Sequence, residues 1–215
     1  MKETSLELVF LLDRSGSMAG LEQDTMGGFN AMLEKQKQQP GKIWVTTILF
    51  DHETKMLHDR LSLDQVPPMG KEDYQVRGST ALMDAMGEAI NHIKTIHRYL
   101  PPENRPEKTL LIVTTDGMEN ASRRYSAPEI KALVEAQEEA GWEFLFFGAN
   151  IQAAETAGRY GIGADHAVNF CSDSQGTALN YRAMDHAVSE VRACRPLSSD
   201  WKREIDRDYQ KRRRK

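Results

Sequence analysis

Val9-Phe10-Leu11-Leu12-Asp13-Arg14-Ser15-Gly16-Ser17 decides the fold. A short apolar run closed by Asp, Ser and Gly reads as a buried strand feeding a tight turn. The turn gathers one carboxylate and two hydroxyls, hard oxygen donors that suit a hard divalent cation such as Mg²⁺ or Mn²⁺. Two more oxygen donors stand in comparable settings. They are Thr80 in Gly78-Ser79-Thr80, and Asp116 in Thr114-Thr115-Asp116-Gly117, which closes the apolar run Leu110-Leu111-Ile112-Val113.

Outward from these segments, strand-like runs alternate with helix-like ones. Strands are expected near 5–12, 43–51, 54–61, 110–114, 142–148 and 166–170. Helices are expected near 23–38, from about 80, from 126, at 151–159 and at 174–192. That alternation specifies an α/β, doubly wound, mainly parallel sheet with helices on both faces. The run at 54–61 follows the turn Asp51-His52-Glu53 and is expected to return antiparallel as a charged edge strand. Pro67-Pro68 and Gly70 make 62–78 a long loop. After Thr80, a stripe of Leu82, Ala85, Met86, Ala89, Ile90 and Ile93 marks one buried helix face. Ser126, with Pro128 and Glu129 behind it, spells a capping box. Leu179, Met184, Ala187, Val188 and Val191 are the expected buried positions of the last helix.

In open α/β sheets, ligands bind beyond the carboxyl ends of the strands, where the strand order reverses. Asp13 and Asp116 each follow a strand. If those strands are neighbours, both carboxylates emerge at one edge, and Thr80 joins them from the adjacent helix. Each motif alone has a plainer reading as a turn or a helix cap.

Composition narrows the alternatives. The 215 residues fit one domain with an appendage, read as an α/β domain at 1–195 and a charged, basic tail at 196–215. The formal charge of −4 conceals an asymmetry: residues 200–215 hold eight basic and four acidic side chains, leaving 1–199 at −8. An acidic body speaks against a nucleic-acid-binding main face and leaves only the tail for such a partner. All apolar segments fall far short of a membrane span, so no membrane insertion is expected. Glu7 interrupts the first apolar run, so no secretory segment is expected, and a cytoplasmic location follows. Cys171 and Cys194 allow at most one bridge.

Other motifs add little. Gly158-Arg159-Tyr160-Gly161-Ile162-Gly163 follows a helix rather than a strand and reads as a turn, not a nucleotide loop. The six histidines are dispersed, and no Cys or His lies in the three oxygen-bearing segments, which argues against a thiolate or imidazole zinc site. Glu119 lies three residues past Asp116, either at the rim of the cation site or, more plainly, as a solvated loop acid.

Asp13-Arg14-Ser15-Gly16-Ser17-Met18, with Gly78-Ser79-Thr80-Ala81-Leu82 and Thr115-Asp116-Gly117, resembles the von Willebrand factor type A family and its metal-ion-dependent adhesion site. The resemblance covers about residues 5–193. It implies a Rossmann-like, six-stranded sheet with one antiparallel edge strand, in a stand-alone, intracellular, bacterial-type member of the family. By motif, Ser15, Ser17 and Thr80 are the implied direct metal ligands, and Asp13 and Asp116 the water-mediated or alternating ones. The implied function is non-enzymatic: Mg²⁺ or Mn²⁺ bridges to an Asp or Glu of a protein partner. The resemblance also raises coupling of the metal site to the helix at 174–192, with Gly163 and Gly176 as possible pivots, although no second packing register is legible. A metal-dependent hydrolase and an RNA-associated protein using its tail are the competing readings.

Overall fold

Strand β1 (Ser5–Asp13) sets the layering by simple alternation. Leu6, Leu8, Phe10 and Leu12 point to one face of the sheet, and Val9 and Leu11 to the other, each in a separate apolar core. The computed structural model describes residues 5–213 of the chain. The remaining strands are β2 (Lys42–Phe50), β3 (Thr54–Ser62), β4 (Lys108–Thr115), β5 (Trp142–Ala149) and β6 (Ala167–Phe170). They form one six-stranded sheet in the order β3-β2-β1-β4-β5-β6. Only the β2–β3 pair is antiparallel. This is the doubly wound, mainly parallel sheet that the alternation of runs specified, with its antiparallel strand at the edge.

The helices are α1 (Glu22–Lys37), α2 (Leu82–Tyr99), α3 (Ala127–Glu139), α4 (Ala153–Arg159), α5 (Ser174–Arg192) and α6 (Arg203–Arg213). α1, α5 and α6 cover the Phe10 face; α2, α3 and α4 cover the Val9 face. The expected stripe of α2, Leu82 to Ile93, is fully buried apart from traces. Ser126 and Glu129 close the capping box of α3, and that helix stops two residues before Gly141. Edge strand β3 carries register irregularities opposite Val45 and Thr47 and a positive φ of 49° at Arg60. These distortions turn its free edge away from regular pairing.

Within the segment read as a charged tail, residues 199–213 pack against the sheet. Residues Ser199–Lys202 form a 3₁₀ turn that leads into α6. Trp201 and Ile205 are buried in the Phe10-side core, and the Trp201 ring meets Phe147 edge-on at 5.4 Å. The Lys202 ammonium bonds the carbonyls of Ala164 and Ala167. Arg212 pairs with Asp173 and Asp208, so part of the tail's basic charge is spent inside the fold. Arg214 and Lys215, half of the terminal basic run, lie outside the described residues. Both cysteines are free thiols. Among the described residues, no helix is long and apolar enough to cross a membrane.

Candidate metal centre

The strand order reverses between β1 and β4, which are parallel neighbours paired Leu12 to Thr114. Their carboxyl ends therefore deliver Asp13 and Asp116 to the same edge, as the switch-point rule requires. Asp13 is 1 % exposed and Asp116 2 %. Asp13 Oδ1 accepts the Ser15 backbone N–H at 2.7 Å, which folds the turn back on the strand end. Ser15 Oγ and Ser17 Oγ lie 3.1 Å apart, and Ser17 donates a short hydrogen bond to Asp116 Oδ1.

Thr80 arrives from a different segment. Gly16 N–H donates to the Gly78 carbonyl at 3.1 Å and Arg77 N–H to that of Arg14 at 2.9 Å, tying the two loops together. Gly78 has φ +68°, and a Cβ there would sit 2.2 Å from His52 Nδ1, so only glycine allows this approach. Thr80 is not a helix cap: α2 is capped at Ala81 with no side-chain bond, while Thr80 N–H donates to Asn120 Oδ1 at 2.9 Å. Gly117 measures the convergence. A Cβ on it would lie 3.0 Å from Thr80 Oγ1, 3.2 Å from Ser17 Oγ and 3.8 Å from Ser15 Oγ. The three hydroxyls thus surround one point beside Asp116, and Asp13 adjoins them through the Ser15 backbone N–H.

The cluster is short of positive charge. Burial pushes the Asp13 carboxyl up to about 6, against the lowering effect of hydrogen bonds from Thr115 and Ser15, and the nearby Asp116 charge adds to the rise. Among the described residues neither aspartate forms an ion pair. Arg14, the basic residue of the turn, lies instead 2.9 Å from Asp51. Two buried acids ringed by hydroxyls, without a cationic side chain, fit a small oxygen-seeking dication.

Several contributors escape a reading of the sequence. Thr115 Oγ1 donates to Asp13 Oδ2 at 2.6 Å, and the Tyr74 hydroxyl donates to the Asp13 carbonyl. Ser172, after β6, donates to Asp116 Oδ2 at 3.1 Å. Ser172 and Tyr74 carry no local signal because they reach the site from distant loops; Thr115 is masked as one more β-branched strand residue. Glu119 is neither a rim ligand nor a solvated acid. It accepts from the N–H groups of Met83, Ala121 and Ser122 and from the Ser122 hydroxyl, which pins the loop to the start of α2. Gly176 packs closely against the preceding loop: a Cβ there would fall 1.9 Å from the Cys171 carbonyl oxygen.

Asp51, His52 and Glu53 form a second acidic and imidazole group whose ligand atoms lie within 4.8 Å of one another. Asp51 there contacts both Arg14 and Arg77, and Glu53 pairs with Arg77 at 2.8 Å. Two guanidinium groups already compensate this cluster, which makes it the poorer cation site. His52, Glu53, Gly78, Ser79 and Arg123 line a groove of about 820 Å³.

The chain has the fold of von Willebrand factor type A domains. The PilB minor pilin of Streptococcus sanguinis, solved as a variant, superposes with a TM-score of 0.61 over 89 % of this chain and 63 % of its own, at 10 % identity. Proximal thread matrix protein 1 from the mussel byssus gives 0.57 at 15 % identity, covering 85 % of this chain and 45 % of that one. A von Willebrand factor type A structure from Catenulispora acidiphila gives 0.55 at 11 %, covering 86 % and 42 %. The chain spans less than two thirds of the length of each of these structures. No family model and no curated protein sequence matches it. At such identities the likeness establishes the fold alone.

Proposed function

We propose that this domain is a divalent-cation-dependent protein-binding module in which Mg²⁺ or Mn²⁺ bridges to an Asp or Glu of a protein partner. The observation that carries the reading is the convergence of Ser15, Ser17 and Thr80 hydroxyls on one point beside Asp116, with Asp13 behind them. Ser15, Ser17 and Thr80 are the direct ligands, and Asp13 and Asp116 act through water or alternate with it. When bound, the cation supplies a Lewis-acidic position open to an incoming carboxylate. Neutral hydroxyls leave such an ion under-compensated, so an anionic group from outside binds better than a neutral one. Thr115 and Ser172 hold the two aspartates in place, the outer-shell role that fixes ligand direction. One solved form of the mussel protein is described with a zinc-occupied MIDAS motif, which supports a metal at this edge of the fold. The oxygen-only donor set here favours a harder ion.

A metal-dependent hydrolase is the second reading, favoured by one observation. His52, on the wall of the groove that Gly78 and Ser79 also line, has its Nδ1 3.1 Å from Oδ1 of the buried Asp51, an acid–imidazole pair. Binding and turnover experiments separate the two. Partner capture in Mg²⁺ that is released by EDTA and lost in Thr80→Ala supports the module. Mg²⁺-dependent turnover of phosphoester or peptide substrates that disappears in Thr80→Ala and in His52→Ala overturns it.

A further inference from the structure

Beneath Asp13, between α1, β4 and α5, lies a small enclosed chamber whose lining includes Thr25, Thr114, Thr177, Asn180 and Tyr181. Each of these five residues is at most 5 % exposed. In four of them one buried oxygen (Thr114 Oγ1, Thr177 Oγ1, Asn180 Oδ1 and the Tyr181 hydroxyl) has no hydrogen-bond partner among the described residues, while the Thr25 hydroxyl is turned to that of Tyr74. Thr177 does not bond back to the preceding turn, the usual outlet for a helical hydroxyl. Unsatisfied buried polar groups are rare and costly, and four facing one space would consume a sizeable share of a domain's net stability. The chamber's free volume is about 10 Å³, room for a single water.

We propose that the chamber is a binding site for one internal water, which hydrogen-bonds α5 to β4 under the floor of the oxygen cluster. The donor and acceptor inventory suits it. Asn180 Oδ1 can only accept, so the water donates to it and to Thr114 Oγ1. The Tyr181 and Thr177 hydroxyls donate to the water. The amino-terminal half of α5 is then held to the sheet through exchangeable polar bonds as well as through its apolar stripe. None of this depends on the metal assignment.

A high-resolution crystal structure of the full chain tests the proposal. The expected result is one density peak about 2.7–3.2 Å from at least three of the four oxygens. Water-¹⁷O relaxation dispersion on the wild type should report a long-lived internal water that is absent from the double variant Thr177→Val, Asn180→Leu. Should the double variant fail to fold, the nearly isosteric Thr177→Val alone supplies the comparison through weakened retention. An empty chamber, lining oxygens paired with one another, or a cation with shortened oxygen contacts would overturn the proposal, as would identical dispersion from wild type and variant.

Discussion

At the scale of single residues, the site rests on close approaches that a larger side chain would block. Gly117 leaves open the point that Thr80, Ser17 and Ser15 surround, and its φ is not in the left-handed region, so alanine fits the backbone but fills the cradle. Gly117→Ala should weaken Mn²⁺ binding by more than about tenfold, a loss of at least about 1.4 kcal/mol, while leaving the thermal midpoint nearly unchanged. Isothermal titration and calorimetric melting check both halves, and unchanged affinity would remove the cradle from the account. Thr115 is the complementary case. Thr115→Val deletes the hydroxyl that bonds Asp13 Oδ2 and should cost roughly 1–3 kcal/mol of stability, measured by urea unfolding. The five candidate positions could be picked out of the sequence because their motifs are local. Thr115, Ser172 and Tyr74 were not, since a supporting hydroxyl is recognisable only when the fold brings it to the group it supports.

At the scale of elements, the loop after β4 is organised by acids rather than by packing. Asp84, in the first turn of α2, accepts backbone N–H groups from Arg123, Arg124 and Tyr125 at 2.9–3.0 Å. Burial raises its carboxyl, but those three bonds together with the nearby Arg124 charge outweigh it and hold the group below its ordinary value. A carboxyl depressed in the folded state stabilises the fold above its unfolded value, about 3.9, and that contribution is lost as pH falls through the folded value. Asp84→Asn should therefore be less stable than wild type at pH 7 by roughly 1–3 kcal/mol. Its stability should also fall less steeply than that of wild type below about pH 4. Parallel pH profiles for the two proteins would contradict this role for Asp84. The helices and strands themselves were readable because their apolar periods are strong, as in the α2 stripe. Helix α6 was not. Its buried position is Ile205, backed by Trp201 in the turn before it, both hidden in a segment whose charge suggests solvent.

At the scale of the whole molecule, α6 covers ground that the doubly wound sheet leaves open. Trp201 sits on Phe147 beside the short last strand, and Arg212 reaches Asp173, next to the Ser172 that holds Asp116. Ending the chain at residue 198 should thus expose apolar surface on β5 and β6 and lower stability sharply. Trp201→Ala alone should cost about 3–5 kcal/mol by denaturant unfolding. A truncated chain as stable as the full one would mean that α6 is an appendage after all. The same packing changes how nucleic-acid binding should be probed: neutralising Arg213, Arg214 and Lys215 tests the basic end without dismantling the core, whereas deletion from 202 does not.

The most direct test of the central claim is Mn²⁺ titration calorimetry on the wild type, Ser17→Ala and Asp13→Ala, each first shown by circular dichroism to be folded. One Mn²⁺ should bind per wild-type chain, and binding should be weaker by more than about tenfold in both variants. Equal affinity in all three proteins would contradict it.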